Sequence, residues 1–583
     1  MNTVRTLTLA VTVFLTACAQ QPVQQGEVTP EAAAKPVAPK PRVVTQPPVS
    51  APVLPKIELS QAILFRLLLA DIALQRGQYN VAVQSYLELA RETRDPRIAE
   101  RAAKAAWNAR FVGAAIEAAG IWLAADPASQ EARQALALLL VNQSRLADAL
   151  PHLEKSIAAD RANMGQSFLH LNALLARHPD KAGALALMQS LAKPYPALPE
   201  ARMSVAQAAF VAGQTALALS EVREALRLRP DWEMAALFYG GVLQQRSATE
   251  AAAYYRDFLT RHPRAMEVRL TYARLLVAEK KYAEARGEFQ VLLQEFPENA
   301  DVALAVGLLS LQVGDSDAAE VQLRRALDNN YKDPDAVRFY LGQASEERKR
   351  FDEALQWYGG VTGGDQYVPS RARYAGVLLK QGKLADARSY LQAAGRSAQE
   401  RTQFIQIEAQ LLREANDFRG AFDVLGRAVE ANPNSPELLY DYAMAAEKLD
   451  RIEILEASLR KVIQIKPDHA HAYNALGYTL ADRNQRLQES YALIEQALKL
   501  APDDPFIIDS MGWVLYRMNQ NEAALTFLKR AYELRADAEI AAHYGEVLWV
   551  SGRQDEARAV WNGALKQNPA NELLLATVKK FSP

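Results

Sequence analysis

Residues 474–478 read Asn-Ala-Leu-Gly-Tyr, residues 510–513 Ser-Met-Gly-Trp and residues 543–546 His-Tyr-Gly-Glu. Their glycines, Gly477, Gly512 and Gly545, stand 35 and 33 positions apart, each inside an apolar stretch. Carried toward the N-terminus, that register meets a small residue at Ala443, Ala409, Ala375, Gly342, Gly307, Ala273, Gly240, Ala206, Ala137, Ala103 and Ala70, with Asn172 the one misfit. A second small-residue column lies twelve places further on: Ala82, Ala115, Ala149, Ala184, Ala218, Ala252, Ala285, Ala319, Ala354, Ala387, Ala421, Ala524 and Ala557. Only the units containing Leu455 and Ser490 depart from it, so the chain from Ser60 onward divides into fifteen units of 33 to 35 residues.

Two such columns in stretches of helical periodicity predict two helices per unit that cross where a bulky side chain would push them apart. Between the columns stand turn signals such as Arg76-Gly77-Gln78, Val313-Gly314-Asp315 and Ser551-Gly552-Arg553, where glycine suits a helix C-terminus. Pro127, Pro230, Pro297, Pro433, Pro467, Pro502 and Pro569 recur near the end of the second helix, often beside an Asp or Asn that can start the next one. One hairpin of this size cannot bury its apolar face alone, so units must stack on their neighbours.

The pattern resembles the tetratricopeptide repeat: paired small positions, a large residue four beyond the second one (Tyr86, Phe289, Tyr358, Trp561) and a closing proline. The resemblance implies an all-α solenoid, a right-handed superhelix of fifteen hairpins over residues 60–569. Residues 570–583, with Glu572 to Phe581 as the helix, would cap its open end.

The charges balance, 67 Lys and Arg against 68 Asp and Glu, which argues against nucleic acid as a partner, while an apolar half of the sequence can build a large core. A single Cys excludes a disulfide framework and any cysteine-based zinc site in the body. That Cys ends the leader. One positive charge at Arg5 precedes a short apolar run from Leu7 to Thr16, too short for a hydrocarbon core that needs about 20 residues of helix. Residues 1–17 therefore read as a secretory signal. Leu15, Thr16, Ala17 and Cys18 resemble a bacterial lipobox, which implies cleavage before Cys18, acylation of its sulfur and amino group, and, with Ala19 following, sorting to the outer membrane. Several acyl chains, at about 0.8 kcal/mol per buried methylene, anchor stably where one is marginal. Nine prolines between Pro22 and Pro55 make residues 18–59 a lipidated, extended tether holding the body in the periplasm.

No catalytic constellation emerges. The seven histidines include no His-Glu-x-x-His pattern, and the close pair His469 and His471 falls at a repeat junction without a third ligand, as expected of a solvated helix start. Ser190-Leu-Ala-Lys193 matches a Ser-x-x-Lys motif without its partner motifs. Gly359-Gly-Val-Thr-Gly-Gly-Asp365 lacks the Lys-Ser/Thr of a phosphate loop, leaving a loosened junction that could hinge or a plain loop. No enzyme activity, metal or small-molecule cofactor is implied.

In the repeat class that this chain resembles, residues two, five, nine and twelve places into each unit face the concave side. That register puts His471, Asn474, Tyr478, Phe506, Asp509, Trp513, Tyr516, Arg517, Glu546 and Trp549 on the inner face of the last three units. Aromatics and Arg in a partly dry pocket carry binding energy, but the same residues could instead pack across a tightly wound inner wall. Upstream the positions are more aliphatic, as at Leu64, Leu138, Met203, Met234, Leu304 and Leu308. Lys and Asn do not recur there as the set that clamps a free carboxyl terminus.

The C-terminal run from Asn474 to Arg483, with Pro502 to Pro505, Asp509 to Trp513 and Ala541 to Trp549, is similar to proteobacterial lipoproteins of the LbcA type. That likeness implies an outer-membrane adaptor, bound to a periplasmic carboxyl-terminal processing protease, that delivers cell-wall hydrolases to it. The alternative is a structural lipoprotein docked in an envelope assembly for polysaccharide export or pilus biogenesis.

Overall fold

The computed structural model describes residues 54–581. The signal sequence, the lipobox with Cys18 and residues 18–53 of the tether lie outside the described residues. Among the described residues there are 31 α-helices and no strand, from Gln61–Gln75 to Glu572–Phe581. This count matches fifteen hairpins and one final helix. No helix among these residues is long and apolar enough to cross a membrane.

Why the chain breaks into hairpins is visible at their ends. Asp504 caps Pro505–Arg517 by accepting from the amides of Phe506 and Ile507, and Pro505 occupies a first-turn position that needs no amide hydrogen. Asp95, Asn299, Asp333 and Ser435 accept first-turn amides at other first helices. Between the two helices of most units the chain reverses through a left-handed residue. Glycine fills it at Gly77, Gly213, Gly314, Gly382 and Gly552, and residues such as Lys280, Asn416, Asn484 and Asn519 fill it elsewhere. At Gly552 the amides of Gly552 and Arg553 donate to the carbonyls of Trp549 and Leu548, closing the first helix.

Both small-residue columns are buried throughout. The departures are accommodated locally. Asn172 is buried and its amide donates to Gln207 Oε1 at 2.6 Å, while the Ser490 hydroxyl donates to the carbonyl of Gly477 at 2.6 Å. Leu455 is fully buried in the cluster with Leu459, Val462 and Leu476.

The described residues divide into two compact units, 54–314 and 315–581. In the first unit each helix packs on its chain neighbours, and the inner positions are mixed: Met203, Leu304 and Leu308 are buried, whereas Leu64, Leu138 and Met234 are exposed. In both units first helices also pack on the first helices of the following hairpin, Met164–Leu175 on Pro199–Val211 in the first and Ala470–Asp482 on Pro505–Arg517 in the second.

The glycine-rich stretch in the second unit is held closed. Helix Phe351–Gly359 is only nine residues long, and the chain then turns over the Asp335 carboxylate. Asp335 Oδ2 accepts from the amides of Thr362 and Gly363 at 2.7 and 2.8 Å and from the Thr362 hydroxyl at 3.0 Å. Arg371 donates to the carbonyls of Tyr358 and Val361, and Arg396 to that of Thr362. These six side-chain contacts to one turn describe an anchored junction rather than a hinge. Burial alone would raise the Asp335 pKa, but the hydrogen bonds from Thr362, Arg338 and Gly363 hold it below the usual carboxylate range. Its contribution is therefore present above the ordinary Asp value and lost as pH falls through the depressed one. Asp335→Ala strands two backbone donors and is expected to cost about 1–3 kcal/mol. Faster amide exchange at Thr362 and Gly363 would report it; unchanged protection there would contradict the anchoring.

Candidate functional site

The first helices of the last hairpins bring together residues from three units. Tyr478, from Ala470–Asp482, places its hydroxyl 3.4 Å from Glu539 Oε1 and 3.4 Å from His543 Nε2, both on Ala538–Val550, two hairpins onward. On the far side of the imidazole, His543 Nδ1 lies 2.8 Å from Asp509 Oδ2. The Trp513 ring stacks on His543 with centroids 4.2 Å apart. Asp509, Trp513 and His543 are all buried.

The electrostatics follow from this enclosure. Desolvation pushes the His543 pKa down, but the Asp509 charge and hydrogen bond, with Glu539 and Asp482 nearby, hold it above the ordinary imidazole value. Burial and then the Glu539, Asp482 and Asp509 carboxylates push the Tyr478 phenol up, so it stays a neutral donor. Burial also raises Glu447, to which the facing Glu539 and Asp482 add. A His with a carboxylate on one nitrogen resembles part of a hydrolytic relay. Here its other nitrogen meets only the Tyr478 phenol among the described hydrogen bonds, and Trp513 covers its face. The arrangement clasps three hairpins together.

The remaining inner-face residues distribute as follows. Glu546 is buried and accepts from Tyr516 at 3.3 Å and from Lys580 of the last helix at 3.1 Å. Trp549 stacks on Trp561, 5.7 Å between centroids, with Phe581 of the last helix against both. Arg517 donates to the Asp482 carbonyl and lies 5.8 Å from the Trp513 ring. Asn474 is half-buried, and His471 and Phe506 are exposed. His469 caps its helix by accepting from the Ala472 amide and stacks on Tyr440, a structural use of one member of the histidine pair. Burial lowers its pKa.

Models of the tetratricopeptide repeat match residues 242–309 and, in a second form, residues 304–366, 452–505 and 510–572. A TPR repeat-containing protein of Pseudomonas aeruginosa, PA4667, is 35% identical over 501 residues, covering 84% of this chain and 82% of its own. The chain belongs to the tetratricopeptide-repeat family. Cellulose synthase operon protein C of Pseudomonas fluorescens is 25% identical over 353 residues, 50% of this chain and 27% of that protein. Among solved structures, the Naa15/Naa10 complex bound to HypK-THB matches 71% of this chain and 70% of its own at 16% identity and a TM-score of 0.39. TTC0263 of Thermus thermophilus matches 29% of this chain and 94% of its own at 23% identity and a TM-score of 0.28.

For a tetratricopeptide-repeat protein the general expectation is a protein-interaction scaffold, and the clasp suits one by fixing how successive first helices present their surfaces. The inner-face register brings together Tyr478, Asp509 and Trp513 but skips His543, which stands one place beyond a register position. The signal that could have found it is Glu539 four residues before it, on the same helical face.

Proposed function

We propose that this protein is a non-enzymatic adaptor, carried on an outer-membrane lipid anchor, that holds a periplasmic carboxyl-terminal processing protease and brings cell-wall hydrolases to it. The observation that carries the protein-binding part is the contrast between the two ends of the array. Trp549, Trp561 and Phe581 pack against one another at the C-terminal end, where Leu573 and Leu575 of the final helix are exposed, whereas the first helix, Gln61–Gln75, leaves the larger set Phe65, Leu68 and Ile72 exposed at 66%, 51% and 46%. Leu64 and Leu69 extend the same uncovered surface, and a contiguous apolar patch of this kind marks an interaction site. The protease and hydrolase assignment rests on the likeness of the C-terminal motifs, and the anchor on the lipobox at Cys18. Joining two proteins on one tethered scaffold raises their local concentration without any chemistry by the scaffold.

The test is affinity purification of the full chain from an envelope extract, beside a Phe65→Lys/Leu68→Lys variant. Both side chains are already exposed, so folding should be kept and a protease lost from the eluate. Recovery of neither a protease nor a cell-wall hydrolase by the parent chain would contradict the adaptor reading. A second reading, a docking lipoprotein for polysaccharide export, is favoured by the likeness to the cellulose synthase operon protein; co-purification of an outer-membrane barrel would select it.

A further inference from the structure

At the turn edge of the second and third hairpins, an open cleft of about 490 Å³ lies at the C-terminal ends of the first helices Pro96–Asn108 and Gln130–Asn142. That volume falls within the range of about 300–1,000 Å³ typical of small-ligand sites. Trp107, Asn108, Arg110, Val112 and Asn142 line it. Trp107, at 48%, is the one exposed tryptophan of the seven. Asn108, Arg110 and Asn142 make no side-chain hydrogen bond or ion pair among the described residues, so their polar groups are free for a ligand. Backbone bonds fix the frame. The Arg110 and Phe111 amides donate to the carbonyls of Trp107 and Ala106 at 3.0 and 2.8 Å, and the Ser144 and Arg145 amides to those of Val141 and Leu140, both at 2.9 Å.

The lining selects its ligand by charge and by shape. Arg110 is the one charged side chain in the cleft. Two helices end there, and each C-terminus carries roughly −0.5 of a charge, which offsets the guanidinium. The cleft is therefore close to neutral, and an ion of either sign would lose its hydration there without gaining a counter-charge. Uncharged hydroxyls fit instead: the asparagine carbonyl oxygens accept from them, and the asparagine amides and the guanidinium donate to them. Val112 is the only aliphatic member, too little to hold an apolar side chain of a protein partner. The open indole face needs a flat apolar surface against it, and the C–H face of a pyranose ring supplies one while keeping its hydroxyls at the rim. An uncharged sugar meets all of these conditions at once.

We infer that this cleft is a saccharide-binding site, in which one ring of an uncharged glycan stacks on Trp107 and exchanges hydroxyl hydrogen bonds with Asn108, Asn142 and Arg110. The inference goes beyond the adaptor reading, since the ligand is a carbohydrate, and it stands whether or not a protease is bound elsewhere on the chain.

The probes are β-1,4 tetrasaccharides that differ in charge, titrated calorimetrically into the full chain in mildly acidic buffer. Those of glucose and N-acetylglucosamine are neutral, that of glucosamine is cationic and that of glucuronic acid anionic. Binding is expected for at least one neutral tetramer, and about tenfold or more weaker for both charged ones. Trp107→Ala removes the stacking platform and should weaken the neutral tetramer about tenfold or more. The side chain is half exposed, so helical content should stay unchanged. Asn108→Ala/Asn142→Ala should act in the same direction. Arg110→Asn keeps a residue that tolerates the left-handed backbone, leaves the helix ends uncompensated, and should therefore raise the affinity for the glucosamine tetramer. Phe65→Lys/Leu68→Lys should leave sugar binding as it is, which separates this site from the first-helix surface. Failure of both neutral tetramers to bind, full binding by Trp107→Ala, or equal binding of neutral and charged tetramers would each overturn the inference.

Discussion

Asp509→Ala is expected to destabilise the last hairpins by about 3–5 kcal/mol, the cost of removing one member of a buried, hydrogen-bonded charge pair. The substitution leaves His543 enclosed beneath Trp513 with no acceptor on Nδ1. Because a repeat array gains stability from neighbour interfaces, the loss should be regional. Amide exchange should accelerate in Pro505–Arg517 and Ala538–Val550 while helices of the first unit keep their protection. The pH dependence has a defined sign. The folded-state pKa of His543 is raised, so its contribution is complete below the unfolded imidazole value of about 6.5 and is lost as pH rises through the raised folded value. The parent chain should thus lose protection in these helices as pH rises above the ordinary imidazole value, and the variant should lack that slope. A loss under about 1 kcal/mol, or an unchanged slope, would show that the pair is not charged in the folded protein.

Trp561→Ala should cost a similar amount, about 3–5 kcal/mol, by emptying the largest fully buried side-chain position of the last hairpin. Its complement lies across the hairpin at Gly545, where an added Cβ would overlap the Trp561 indole. Gly545→Ala alone is expected to cost about 1–3 kcal/mol by overpacking. The two sites share one space, so Gly545→Ala combined with Trp561→Leu should be less damaging than the sum of its parts. Urea denaturation of the four proteins, followed by circular dichroism, measures the cycle. Strict additivity would mean that the glycine is dispensable for this crossing.

The hairpin architecture was legible because its cause is periodic. A Cβ at Gly545 competes with Trp561, and one at Gly342 with Tyr358, so the backbone crossing writes itself into nearly every unit as a small residue. The interruptions were less legible. Asn172 breaks the column as a letter but not as a structure, since its solution is a hydrogen bond to Gln207, 35 residues away. The glycine-rich turn after Phe351–Gly359 suggested looseness because glycine permits it; the carboxylate that binds its amides is contributed by Asp335, 27 residues earlier. Inner-face register identified Tyr478, Asp509 and Trp513 as neighbours, but whether a side chain lines a groove or fills one depends on how closely hairpins two apart approach.

The indoles of Trp549 and Trp561 lie stacked within the same end of the chain, with Phe581 against both. Two chromophores that close exchange excitation, and their emission depends on whether the last helix shields them from water. Peeling away of Glu572–Phe581 would expose them while most of the repeat array keeps its helical content, so this terminus carries its own optical gauge.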